Sequence, residues 1–189
     1  MNNCYFIIRH GESVLNEKKC HQGWIPNNPL TEKGKLQAKE VAIKLEDQKI
    51  ELLYASPLLR TKQTAKIIAN HLHLPIIFSS NIKDFRRCKK HEGLHISQYS
   101  VLPDYLLWKE KQKKDPSFCL PEGESLEYFN KRVVNFAKKL DRQFQNKNIA
   151  VVTHEGVAYY LIQCWQKKAV ELESLGNAQI IKIIPQNKV

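Results

Sequence analysis

Short apolar runs that alternate with stretches of helical period constrain this chain more than any other feature. Residues 4–8 (CYFII), 52–55 (LLYA), 76–78 (IIF), 149–152 (IAVV) and 180–184 (IIKII) are strand-length and rich in β-branched and aromatic side chains. Between them, apolar side chains recur at helical spacing: Ala38, Val41, Ala42 and Leu45 behind a Thr31 N-cap, then Ala65, Ile68, Ala69 and Leu72, then Leu126, Phe129, Val133, Phe136 and Leu140. Residues 157–165 suit a further helix. Strands buried on both faces and separated by helices imply an α/β, three-layer sandwich with a mostly parallel central sheet. A chain of 189 residues suits a single domain, 1–189. The alternation stops between residues 82 and 121, where basic clusters at 86–90 (RRCKK) and 109–114 (KEKQKK) surround scattered aromatics, so this stretch reads as an inserted lid.

Several classes of protein are excluded by what the chain lacks. No apolar run approaches the roughly 18 to 20 residues of a membrane helix, so no membrane partner is expected. The first apolar run ends at Arg9 and His10 and has no basic leader, which makes it a strand and not an export signal. Five scattered cysteines without a C-x-x-C pair fit neither a disulfide framework nor a zinc knuckle, so a reducing cytoplasm is the expected home. Thirty Lys and Arg against nineteen Asp and Glu, a net charge of +11, favour an anionic partner without choosing its kind.

In open α/β sheets ligands bind beyond the carboxyl ends of the strands, so the residues there matter most. The first strand runs into Arg9, His10, Gly11, Glu12 and Ser13; the second leads through Ser56 and Pro57 to Arg60; the fourth runs into Thr153, His154, Glu155 and Gly156. Neutral imidazole is a competent nucleophile toward phosphorus, and guanidinium forks match phosphate oxygens. Two His and two Arg at one sheet edge therefore describe phosphoryl transfer through a phosphohistidine, with neither metal nor organic cofactor required.

Residues 8–13 (IRHGES), with Asn16, Gln22, Gly23, the Pro29-Leu30-Thr31 triplet, Gly34 and Gln37, resemble the N-terminal signature of the histidine phosphatase (phosphoglycerate-mutase-like) superfamily. Residues 55–65 (ASPLLRTKQTA), 121–125 (PEGES) and 152–156 (VTHEG) resemble its later blocks, in family order, and Asn177-Ala178 suits its final turn. The resemblance implies that His10 is the nucleophile and that Arg9, Arg60 and a protonated His154 bind the transferred phosphoryl group. It makes Asn16, Gln22 and Gly23 secondary substrate contacts. Where the family has a basic residue four positions after the matching Asn, this chain has Cys20, with His21 or Lys19 as the neighbours that compensate. The general acid has two candidates. Counting forward from Pro75 reaches Asp84, whereas counting back from Gly93 reaches Phe85, so one residue is inserted in this loop. Glu155, directly after the second histidine, competes with Asp84, and the forward count favours Asp84.

Other motifs have plainer readings. His91, Glu92 and His95 spell H-E-x-x-H, which on a helix would hold zinc. Gly93 inside such a helix costs about 1 kcal/mol, and the cationic flank opposes a divalent metal, so no metal site is expected. His71 and His73 read as solvent-facing residues at a helix end, and Arg132 as a structural donor to nearby carbonyls or carboxylates. The basic clusters, interleaved with Phe85, Tyr99, Tyr105 and Trp108, have three readings, a nucleic-acid surface, ordinary solvated faces or the rim of an anion pocket; a nucleic-acid partner is not expected, and the role of the basic insert is not legible in the sequence. The expected activity is hydrolysis of a small anionic phosphate monoester. A phosphoglycerate-type mutase is the runner-up, and a non-catalytic phospho-ligand or nucleic-acid-binding module is the alternative of another class. The particular ester and the oligomeric state are not legible in the sequence.

Overall fold

The computed structural model describes residues 2–166 and 174–185. In chain order the elements are β1 (Cys4–Arg9), α1 (Val14–Glu17), α2 (Glu32–Leu45), β2 (Leu52–Ala55), α3 (Leu59–Leu72), β3 (Ile76–Phe78), α4 (Ile96–Tyr99), α5 (Pro103–Lys114), α6 (Leu126–Gln143), β4 (Asn148–Thr153), α7 (Glu155–Gln166) and β5 (Ile180–Ile183). The sheet runs β3-β2-β4-β1-β5. The first four strands are mutually parallel, and β5 alone runs antiparallel, against β1.

Side chains alternate across a strand, so each one supplies two cores. Tyr5 and Ile7 of β1 and Ile149 and Val151 of β4 face α6 and α7, meeting Phe129, Val133, Phe136, Val157 and Leu161. Phe6 and Ile8, with Ala150 and Val152, face α2 and α3, meeting Val41, Leu45, Ala65 and Ile68. The result is the expected three-layer sandwich. Thr31 caps α2 by accepting from the Gly34 N–H, and Ser125 caps α6 by accepting from the Tyr128 N–H.

Segment 82–121 carries its own small cluster of Cys88, Trp108 and Leu120, flanked by Phe85, Tyr105 and Phe118. It contains a helix, α5, that the sequence pattern did not reveal. Only Trp108 of that helix is buried, while Leu106 and Leu107 are exposed, so it has no apolar stripe to read. Among the described residues no helix is long and apolar enough to cross a membrane.

Register is what positions the functional residues. Arg9 pairs with Thr153, and Ala55 pairs with Val152, so β1, β2 and β4 end at one level. The residues that follow them, His10, Ser56 and His154, therefore stand side by side at the carboxyl edge of the sheet.

Candidate active site

His10 leaves β1 with its N–H donated to the Thr153 carbonyl at 3.0 Å, and its own carbonyl accepts from Asn177 Nδ2 at 3.2 Å. Its Nδ1 lies 2.8 Å from the Gly11 carbonyl. A carbonyl only accepts, so Nδ1 carries the proton and Nε2 keeps the lone pair. Burial, and the neighbouring Arg60 and Arg9 guanidiniums, hold the ring well below the ordinary histidine value, which keeps it neutral. Gly11 is required here because a Cβ would come within 2.4 Å of the Gly34 carbonyl oxygen. The first turn of α2 thus presses directly on the loop that carries the histidine.

His154 stands edge-on to His10, with ring centroids 5.3 Å apart. Its Nε2 meets Ser56 Oγ at 2.8 Å, and its Nδ1 points past Asp84 Oδ2 at 3.7 Å. Burial first, and Arg60 second, push this ring well below its usual value. Burial and Arg60 thus favour the neutral ring, whereas the sequence reading expects a protonated His154.

Arg60 is completely buried on α3, and its Nη2 donates to Asp84 Oδ2 at 2.9 Å and to the Gly23 carbonyl at 3.0 Å. Arg9 Nη1 donates to Glu155 Oε2 at 3.0 Å and to the Leu175 carbonyl. Four donors at this spot, Arg9 Nε, Arg60 Nε and Nη1, and His154 Nδ1, are buried and find no hydrogen-bond partner among the described residues. Unsatisfied buried donors are costly, and four converging beside a neutral imidazole make a binding site for a multidentate anion. They adjoin a cavity of about 380 Å³ lined by Arg9, His10, Gln22, Gly23, Asp84, His154 and Glu155, together with Cys20, His21, Tyr99 and Gly156.

The remaining expected residues divide. Gln22 reaches the cavity with its Oε1 engaged by Ser13 Oγ at 3.1 Å and Asn28 Nδ2 at 2.9 Å, which leaves its amide NH₂ to donate. Gly23 takes φ +45°, and a Cβ there would fall 2.3 Å from Glu92 Oε1. Asn16 lies outside this cavity: its Oδ1 accepts from the Ser13 N–H and Oγ and from Asn177 Nδ2, tying the nucleophile loop to the final turn. Lys19 also lies on the neighbouring surface and not in the cavity. Asp84 is held by its backbone, whose carbonyl accepts from Trp24 Nε1 at 2.6 Å and Arg132 Nη2 at 2.9 Å. Arg132 also donates to the carbonyls of Asn81 and Lys83 and grips the Glu124 carboxylate at 2.6 and 2.8 Å. Its structural reading therefore holds, and the third sequence block is explained as the anchor of the Asp84 loop.

The H-E-x-x-H string forms no helix. Residues 89–91 make a single 3₁₀ turn, Gly93 takes φ +86°, and His95 caps α4. His91 is buried with its Nε2 3.2 Å from Asp104 Oδ2, near Cys88, while the Lys90 ammonium already sits 2.5 Å from the same oxygen. His71 pairs with Glu46 at the surface.

Two wall residues carried little sequence signal. His21 was only a substitute for the missing cation, and Tyr99 only one aromatic among several. The His21 ring lies 5.3 Å from Tyr99, its Nε2 is buried without a partner among the described residues, and burial together with Arg87 brings it down to about 3.

Comparison with known proteins agrees with this geometry. A family model described as "Histidine phosphatase superfamily (branch 1)" matches residues 5–188. The chain is 31% identical over 157 residues to the uncharacterized phosphatase PhoE of Bacillus subtilis (strain 168), covering 82% of this chain and 74% of that protein. It is 30% identical over 154 residues to the probable phosphoglycerate mutase GpmB of Escherichia coli O139:H28, covering 81% and 69%. A phosphoserine phosphatase from Entamoeba histolytica, solved in complex with 3-phosphoglyceric acid, superposes with a TM-score of 0.80 at 25% identity, covering 96% of this chain and 90% of that one.

Proposed function

The chain belongs to the histidine phosphatase superfamily and is a phosphate monoester hydrolase of its phosphohistidine type; on that footing we propose which residues carry the reaction. His10 is the nucleophile. The phosphoryl oxygens take hydrogen bonds from Arg9 Nε, Arg60 Nε and Nη1, His154 Nδ1 and the Gln22 amide, and Gly23 fixes the turn that holds Arg60. The His10 Nε2 lone pair forms the N–P bond as the ester P–O bond breaks in line, and the guanidiniums stabilise the charge of the transition state.

Asp84 supplies the proton to the departing oxygen. The arriving dianion competes for Arg60 and adds negative charge beside the carboxyl group, which favours its protonated form. Both carboxylates are held by an arginine, and Glu155 is the weaker candidate because its side chain is 43% exposed, against 24% for Asp84. In the second step water attacks phosphorus, Asp84 accepts its proton, the N–P bond breaks, and inorganic phosphate leaves. Arg9 and Arg60 supply positive charge at the phosphoryl group without a metal. Segment 82–121 serves as the lid, since Asp84 and Tyr99 both come from it.

The observation that carries this reading is the convergence of four unpartnered buried donors on a neutral His10. Among mono-phosphorylated small molecules the protein therefore acts as hydrolase, and its five free cysteines support a reducing, cytoplasmic setting. His10→Ala tests the assignment: turnover of nitrophenyl phosphate falls to background while the folded signal persists. Full turnover in that variant contradicts it.

A further inference from the structure

His91 has no part in the reaction at His10, yet it is fully buried in the lid and poorly satisfied there. Its Nδ1 has no hydrogen-bond partner among the described residues, and its Nε2 lies 3.2 Å from Asp104 Oδ2, an oxygen already shared with Lys90. The other members of the H-E-x-x-H string are engaged elsewhere: Glu92 accepts from the Trp24 N–H and from Arg86, and His95 caps α4. In their place stand Cys88, 2% exposed, and Asp104, in the first turn of α5. One ligand atom from each of Cys88, His91 and Asp104 lies within 4.8 Å of the other two.

Thiolate, imidazole and carboxylate are the donors that tetrahedral zinc takes, and the two-residue gap between Cys88 and His91 is within the short spacings of its sites. Two ligands at about 2.0 to 2.1 Å from a tetrahedral ion stand about 3.3 Å apart. The Nε2 to Oδ2 separation, 3.2 Å, fits that edge. What opposes a metal here is the surrounding positive charge, and most of it is engaged. Arg86 is paired with Glu92, Lys89 with Glu122, and Arg87 lies stacked against Trp108, Tyr105 and Tyr99. The competing cation is Lys90, 2.5 Å from Asp104 Oδ2 on a side chain 64% exposed, so it withdraws into water at little cost. Exchanging this ammonium and the Cys88 thiol proton for one Zn²⁺ leaves the charge of the pocket unchanged, because two positive charges depart and two arrive.

We propose that Cys88, His91 and Asp104 form a structural zinc site in the lid, with water as fourth ligand on the side from which Lys90 withdraws. Binding forms bonds from the ion to Sγ, to one imidazole nitrogen and to a carboxylate oxygen, releases the thiol proton to solvent and moves no electrons. The ion ties the 88–91 turn to the start of α5, in a segment whose own apolar cluster has three buried residues, Cys88 among them. None of the three ligands lines the active-site cavity, so phosphate ester turnover does not depend on the ion.

The test takes the full-length protein, freed of metal with a chelator, and titrates it with Zn²⁺ against a chromophoric indicator and with Co²⁺ as a spectroscopic substitute. One equivalent should bind, and Co²⁺ should show a tetrahedral ligand-field spectrum with a thiolate charge-transfer band. Cys88→Ser should abolish that band, whereas Cys119→Ser, at an exposed thiol, should leave it unchanged. Asp104→Asn should weaken zinc binding by about tenfold or more. Lys90→Ala removes the competing cation and should tighten binding by about twofold to fivefold, the scale of one exposed ion pair. Nitrophenyl phosphate turnover, in which none of these side chains takes part, shows that each variant is folded. Absence of stoichiometric binding, a charge-transfer band that persists in Cys88→Ser, or a Lys90→Ala protein that binds zinc no more tightly overturns the site and leaves the phosphatase reading standing.

Discussion

The two ends of the cavity are built by different means. The phosphoryl end rests on the carboxyl edge of β1, β2 and β4, where ladder register places His10, Ser56 and His154 and buried cores on both faces hold the strands. The leaving-group end rests on segment 82–121, whose own cluster has three buried residues and whose cations are fixed by stacking and ion pairs. Reaction chemistry tolerates little displacement and sits on the sheet.

That contrast predicts a ranking of mutational effects. At the phosphoryl end Arg60→Ala removes two idle donors and the partner of Asp84, and kcat should fall by about 10³-fold. A drop no larger than that of an Arg87 variant on nitrophenyl phosphate would break the distinction between the two ends.

The proton donor lies at the join. Asp84→Asn should slow alkyl esters by about 10²- to 10³-fold and nitrophenyl phosphate far less, because only a basic alkoxide needs the proton in the transition state. Glu155→Gln should show no such dependence on the leaving group. The reverse pattern would transfer the role to Glu155.

Replacing Arg132 by Met tests the tie between the two regions through stability. It leaves Glu124 buried without its ion-pair partner and frees the carbonyls of Asn81 and Lys83, so a loss of about 3 to 5 kcal/mol is expected in urea unfolding. A loss under about 1 kcal/mol would mean that the Asp84 loop is held by other means.

Titration gives a smaller effect. His10, His21 and His154 are all held below the ordinary value of 6.5, His21 at about 3, so below pH 6.5 the unfolded chain binds protons that the folded one refuses. The contribution of these three rings should therefore be constant above pH 6.5 and destabilise the fold progressively as pH drops from there toward 3. His21→Asn should flatten part of that fall. The smallest expected effect is that of chelators, which should leave turnover unchanged.

The same contrast explains what could be read from the sequence. Strands β1 and β4 are buried on both faces and α6 on one stripe, so their periods stand in the sequence, and the residues after those strands are the ones proposed to hold the phosphoryl group. Helix α5 buries only Trp108 and has no such period. The antiparallel β5 looks like any apolar run, because direction leaves no mark on composition. His91 and His95 matched a zinc motif by spacing, yet Gly93 with its positive φ separates a buried ring from a half-buried one. Arg87 and Tyr99 were visible only as members of a basic and aromatic stretch, since stacking between distant residues follows no period.

The central claim is that His10 becomes covalently phosphorylated in each turnover. Rapid acid-free quenching of the wild-type protein with radiolabelled substrate, followed by peptide mapping, should recover one acid-labile, base-stable phosphate on the peptide bearing His10 and none in His10→Ala. Turnover without any trapped label, or label that persists in His10→Ala, would contradict the account.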